Sequence, residues 1–205
     1  MMMQTSIERV EGEKTVYRRG SFAFLCGAAI VGVLLGAMCF CLNSEQAGRL
    51  MFFGTSLGER AAMDYGRLMA GSLLGSTAFL LGLALAGFCA LGQPFELALL
   101  VLRGMGLGCM LTEVYSAVGK SNVLYAAGLL LPGAIISLLG LVAAAREALC
   151  LSNIYLRVTL SSRGGEGLVA AVKLYGAKLL VIEAILALAA GVDTICSYLF
   201  IGRLV

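Results

Sequence analysis

The chain contains no histidine and no tryptophan, and only 2 prolines. Charge is scarce too, with 15 Lys and Arg and 12 Asp and Glu in 205 residues, or 13%. Each scarcity excludes something. Without imidazoles there is no His-based metal site and no His acid–base pair. Charge at about half the ~25% of an ordinary soluble domain is too little to cover a globule of this size with polar side chains. The net charge of +3 is small and the positive residues are dispersed, which argues against nucleic-acid binding. Apolar residues fill the gap: they make up 60% of the sequence, and the mean hydropathy is +0.95. A chain this apolar collapses or inserts rather than staying disordered. The class that remains is an all-α polytopic membrane protein.

A membrane helix needs ~20 mostly apolar residues. Five stretches qualify: 21–42, 69–91, 95–118, 123–145 and 174–201. Their continuous apolar runs lack the alternation of a membrane barrel, and open β-structure cannot sit in lipid, so they read as helices. The first span carries no charge and is too long for the apolar region of a signal peptide, so it reads as a retained helix. Nine basic residues fall on one side: Arg9, Lys14, Arg18, Arg19, Arg146, Arg157, Arg163, Lys173 and Lys178. Arg49, Arg60, Arg67, Lys120 and Arg203 fall on the other. This bias predicts a cytoplasmic N-terminus and, with five spans, an external C-terminus. The short connections at Gly92-Gln93-Pro94 and 119–122 make their flanking helices antiparallel neighbours.

Two longer connections complete a single membrane domain over 1–205. The external loop 43–68 holds the apolar run Leu50-Met51-Phe52-Phe53 and reads as one or two short interfacial helices, capped at Asn43 or Ser44. The cytoplasmic loop 146–173 has an apolar side of Leu149, Leu151, Ile154, Tyr155 and Val158 and a break at Gly164-Gly165. It also reads as an interfacial helix.

Three pairs of glycines stand four residues apart: Gly32 and Gly36, Gly71 and Gly75, Gly104 and Gly108. Small residues at this spacing let backbones approach in lipid. Packing within the bundle is preferred to a homo-oligomer interface. The stretch Arg103-Gly104-Met105-Gly106-Leu107-Gly108 superficially resembles a nucleotide-binding loop, but it lies within a span with no preceding strand.

Intramembrane charge is the more specific signal, since a central Arg costs ~2.5–3.5 kcal/mol on insertion scales and therefore faces protein. At ~1.5 Å rise per residue, Arg103 and Glu183 reach similar depths in helices running the same way. A direct pair between them is expected. Glu113 and Asp193 lie nearer the outer surface, within reach of Lys120. These four charges read as packing locks in preference to an ion or proton path. Pro132, followed by Gly133, is expected to bend the fourth span, since proline frees a carbonyl of the preceding turn. The 7 cysteines are scattered and behave as small hydrophobes, and Cys39-x-Cys41 has no further ligands near it. Neither a nucleophile with its base nor an acidic metal cluster is apparent. A noncatalytic chain without metal or cofactor is expected.

In the order and spacing of its spans the chain resembles the stage II sporulation protein M family of integral membrane proteins. Three local matches carry the resemblance: Leu102-Arg103-Gly104-Met105-Gly106-Leu107-Gly108 entering span three, Leu130-Leu131-Pro132-Gly133 in span four, and Ala189-Ala190-Gly191-Val192-Asp193 in the last span. The His and Glu that some homologues carry after the proline are absent, since 134–138 holds Ala134, Ile135, Ile136, Ser137 and Leu138. The resemblance implies a membrane scaffold that gathers two peptidoglycan hydrolases, sporulation proteins D and P, at the septum during endospore engulfment. On that reading the external loop is the docking surface. Leu50, Met51, Phe52 and Phe53 then either contact the partner or lie on membrane lipid. The reading from another class is a small permease or transporter subunit.

Overall fold

A computed structural model of the chain describes residues 2–42, 63–89, 92–118, 123–161 and 168–201. Five helices account for nearly all of them: α1 Met2–Leu42, α2 Tyr65–Gly87, α3 Gln93–Val118, α4 Val123–Ser161 and α5 Leu168–Ile201. Among the described residues there is no strand. All five helices contain a stretch long and apolar enough to cross a membrane.

The boundaries follow from local chemistry. α2 opens after Asp64, whose carbonyl accepts the Leu68 N–H at 3.1 Å. It closes where the Phe88 and Cys89 N–H groups fold back on the carbonyls of Leu85 and Ala86. That turn places α2 four residues earlier than the expected span 69–91. α3 begins two residues before the expected 95–118, with Pro94 in its first turn, where a missing N–H costs no helical hydrogen bond. The apolar stretch of α1, Ser21–Leu42, has the expected bounds.

The largest difference concerns the expected loop 146–173. α4 continues unbroken for 39 residues to Ser161, through Pro132, and α5 starts already at Leu168. The expected interfacial helix is therefore the far half of α4. The reason is packing: Ala148 and Leu151 are buried against Tyr175 of α5 with Tyr155 partly buried beside them, so part of the apolar side of 146–158 faces a neighbouring helix. At ~1.5 Å per residue α4 is roughly 58 Å long, well beyond a ~30 Å hydrocarbon layer. Residues 43–62, with Leu50, Met51, Phe52 and Phe53, lie outside the described residues.

The helices run up and down. Gln93 at the start of α3 donates to Asn153 in the far half of α4 at 3.0 Å. Gly133 and Gly140 of α4 face Asp193 and Leu186 of α5, an antiparallel order. Every helix contributes to one core, with Leu25 from α1, Leu83 from α2, Leu100 from α3, Leu141 from α4 and Leu186 from α5. Outward-facing positions are apolar as well, including Leu34, Leu74, Leu85, Leu180 and Leu188. A bundle apolar both inside and out is built for lipid, where close packing and not water exclusion holds helices together.

Candidate functional site

The first feature that specific residues build is a backbone seam between α1 and α3. A Cβ placed on Gly32 would fall on the Val101 carbonyl, and one on Gly36 would fall on the Met105 carbonyl. In return, a Cβ on Gly104 would lie 2.5 Å from the Ala29 oxygen, and one on Gly108 would strike the Val33 carbonyl. The two glycine pairs thus face each other across parallel helices, and Cys109 Sγ donates to the Gly36 carbonyl at 3.2 Å. Gly71 behaves differently: it is exposed, with nothing within 4 Å of the place a Cβ would take. Gly75 is buried.

The second feature is a polar layer in the middle of the bundle, hung on two consecutive residues of α2. Arg103 Nη2 donates to Ser76 Oγ at 3.4 Å, and its guanidinium carbon stands 5.4 Å from the centre of the Phe79 ring. That is within the range of a cation–π contact. Glu183 Oε1 accepts from Thr77 Oγ1 at 2.6 Å. Arg103 and Glu183 therefore reach the same turn of α2, as their depths predict, but each meets a hydroxyl there in place of the expected direct ion pair. Depth follows from residue count; the rotation of α3 and α5 about their axes does not. Ser76 is buried, and neither it nor Thr77 was singled out in the sequence, because small hydroxyl side chains in an apolar span do not by themselves point to a partner.

A third set of polar groups lies where α1 enters its apolar stretch, at the Ser21 end. Glu96 is fully buried in α3, and neither of its carboxyl oxygens has a hydrogen-bond partner among the described residues. Close by, Ser152 Oγ donates to the Cys89 carbonyl at 2.8 Å and Tyr175 Oη donates to the Leu83 carbonyl at 3.5 Å. Lys178 and Glu147 form an ion pair at 2.6 Å across α5 and α4. Glu96 was not among the charges singled out from the sequence. Its signal is the seven-residue spacing to Arg103, which puts both on one face of α3.

At the opposite end, Asp193 is buried where α5 crosses α4. A Cβ on Gly133 would lie 2.6 Å from Asp193 Cβ and 2.9 Å from its Cα. The Pro132-Gly133 step is thus where two backbones touch. The neighbouring Thr194 turns its hydroxyl inward to the Ala190 carbonyl at 2.7 Å. Glu113 is half-buried on α3.

Buried apolar residues separate these layers. Leu100 stands between Glu96 and Arg103 on α3, and Leu186, Ala189 and Ala190 stand between Glu183 and Asp193 on α5. Among the described residues no three Cys, Asp or Glu side chains converge in the manner of a metal site. Comparison with known proteins finds no matching family model, no matching curated protein and no matching solved structure.

Proposed function

We propose that the chain is a noncatalytic multi-pass membrane scaffold, with a cytoplasmic N-terminus, that positions peptidoglycan hydrolases at the septum during endospore engulfment. The partners on this reading are sporulation proteins D and P, and the docking surface is the external loop 43–68.

The observation that carries the scaffold over the permease is the layering of the interior. Arg103 Nη2 and Glu183 Oε1 are engaged by Ser76 and Thr77, and buried Leu100 and Leu186 stand below and above that layer. A transported solute or ion needs a continuous polar or hydrated route. Polar groups that hold helices in register between apolar layers suit a rigid platform instead. Two of the motifs behind the family resemblance, Pro132-Gly133 and Asp193, also pack on each other, which supports treating them as one structural element.

Affinity capture in mild detergent from sporulating cells tests the reading. Recovery of wall hydrolases supports it, and recovery of an ATP-binding subunit alone overturns it in favour of a transporter. Replacing Phe52 and Phe53 by Ser is expected to abolish hydrolase recovery at unchanged abundance of the chain. Unchanged recovery would remove Leu50, Met51, Phe52 and Phe53 from the docking surface.

A further inference from the structure

A half-open cavity of about 870 Å³ lies between α1, α3, α4 and α5 at the Ser21 end. That volume is within the ~300–1,000 Å³ of pockets that hold a drug-sized ligand. Its level is set by its walls. Ser21 is the first residue of the apolar stretch of α1, and Gln93 and Pro94 form the first turn of α3, so the cavity lies where these two apolar stretches begin, the level at which headgroups would meet them. Its two ends differ in chemistry. Phe24, Leu174 and Ile154 line it and are themselves exposed on the outside of the bundle, so the apolar wall runs on into the lipid-facing surface. The polar part carries Arg146, Lys178 and Glu147. Lys178 is held by Glu147 at 2.6 Å, while Arg146 has no ion pair among the described residues. Among the lining side chains two cations stand against one carboxylate, and Glu96, close by but fully buried, is not on the wall, so the wall carries one net positive charge.

The geometry points to a resident acidic phospholipid: a glycerophosphate headgroup on Arg146 and Lys178, with its acyl chains running out past Phe24 and Leu174. An amphiphile is the occupant that fits a cavity charged on one side and continuous with lipid on the other. The net positive charge selects an anionic headgroup over a zwitterionic one, as basic pockets between membrane helices do. A soluble phosphate would satisfy the cations but leave the apolar wall uncovered. The inference does not depend on the scaffold reading, because it concerns the cavity alone.

Native mass spectrometry of the purified full chain, titrated with phosphatidylglycerol and phosphatidylcholine, tests it. Phosphatidylglycerol is expected to be retained at least about fivefold more strongly, the factor that one unbalanced cation near a membrane surface contributes. Arg146→Gln with Lys178→Gln should erase that preference, whereas Arg67→Gln, at the other end of the bundle, should leave it intact. Ala171→Trp fills the cavity from α5 without changing charge, and should lower retention of both lipids, so the test survives if the charge variant does not fold. Equal retention of the two lipids, an unchanged preference in the charge variant, or unchanged retention of both lipids in Ala171→Trp overturns the proposal. Displacement of the lipid by soluble glycerol phosphate at equal concentration would also overturn it, since the site would then recognise a free anion.

Discussion

Gly36 of α1 lies so close to Met105 of α3 that a Cβ on the glycine would fall on the methionine carbonyl. The contact is backbone against backbone, with no flexible side chain to yield. Gly36→Leu or Gly108→Leu is therefore expected to lower stability by about 1–3 kcal/mol, the usual cost of overpacking, and to lie at the upper end. Gly71→Leu adds bulk at an open position and should stay within about 0.5 kcal/mol of the parent. Reversible unfolding in mixed micelles reads the difference. Equal effects at Gly36 and Gly71 would show that the α1–α3 seam does not hold the bundle.

Thr77 and Glu183 provide a separate test of the middle layer. Thr77→Val removes the donor to Glu183 Oε1 while keeping the volume, and should cost about 1 kcal/mol as a part-buried acceptor loses its partner. Thr77→Ser keeps the donor and should cost less. Glu183→Leu in the Thr77→Val background should restore part of the loss, because no stranded polar group then remains. A double-mutant cycle that comes out additive would show that the two side chains do not act together.

These two sites also show what could be read from the residues alone. The four-residue spacing of Gly32 and Gly36 and of Gly104 and Gly108 marked small faces correctly, because helix geometry fixes which residues share a face. Which face meets which helix was not legible: Gly71 and Gly75 have the same spacing, yet Gly71 is open. Counting residues put Arg103 and Glu183 at one level, and both reach the Ser76-Thr77 turn, but their partners depend on helix rotation, which is settled by packing across all five helices. The end of α4 was misplaced for a related reason. Leaving the hydrocarbon does not stop a helix, and Ala148 and Leu151 keep α4 going by packing on Tyr175.

Glu96 differs from the other intramembrane acids in having no hydrogen-bond partner among the described residues while fully buried. Burying a polar group without compensation costs ~1–3 kcal/mol on mutational scales. Glu96→Met, close in volume and apolar, should therefore raise stability by about that amount. Glu96→Ala should not, because the cavity it leaves offsets the gain. Thermal unfolding in detergent distinguishes them. A Glu96→Met variant less stable than the parent would mean that the carboxyl is engaged in the membrane by something that compensates its burial.

The orientation that underlies the proposed docking surface can be tested through cysteines already present. Cys41 and Cys89 are both exposed free thiols, and they sit at opposite ends of the bundle: Cys41 in the last turn of α1, Cys89 in the turn after α2. Lysine and arginine are denser beside the Cys89 end, which the positive-inside rule assigns to the cytoplasm. In variants keeping one cysteine each, a membrane-impermeant maleimide should label Cys41 in intact cells. It should label Cys89 only after permeabilisation. The reverse pattern would place the loop 43–68 in the cytoplasm, out of reach of any enzyme acting on the wall. It would remove that loop as a hydrolase docking surface whatever the affinity capture recovers.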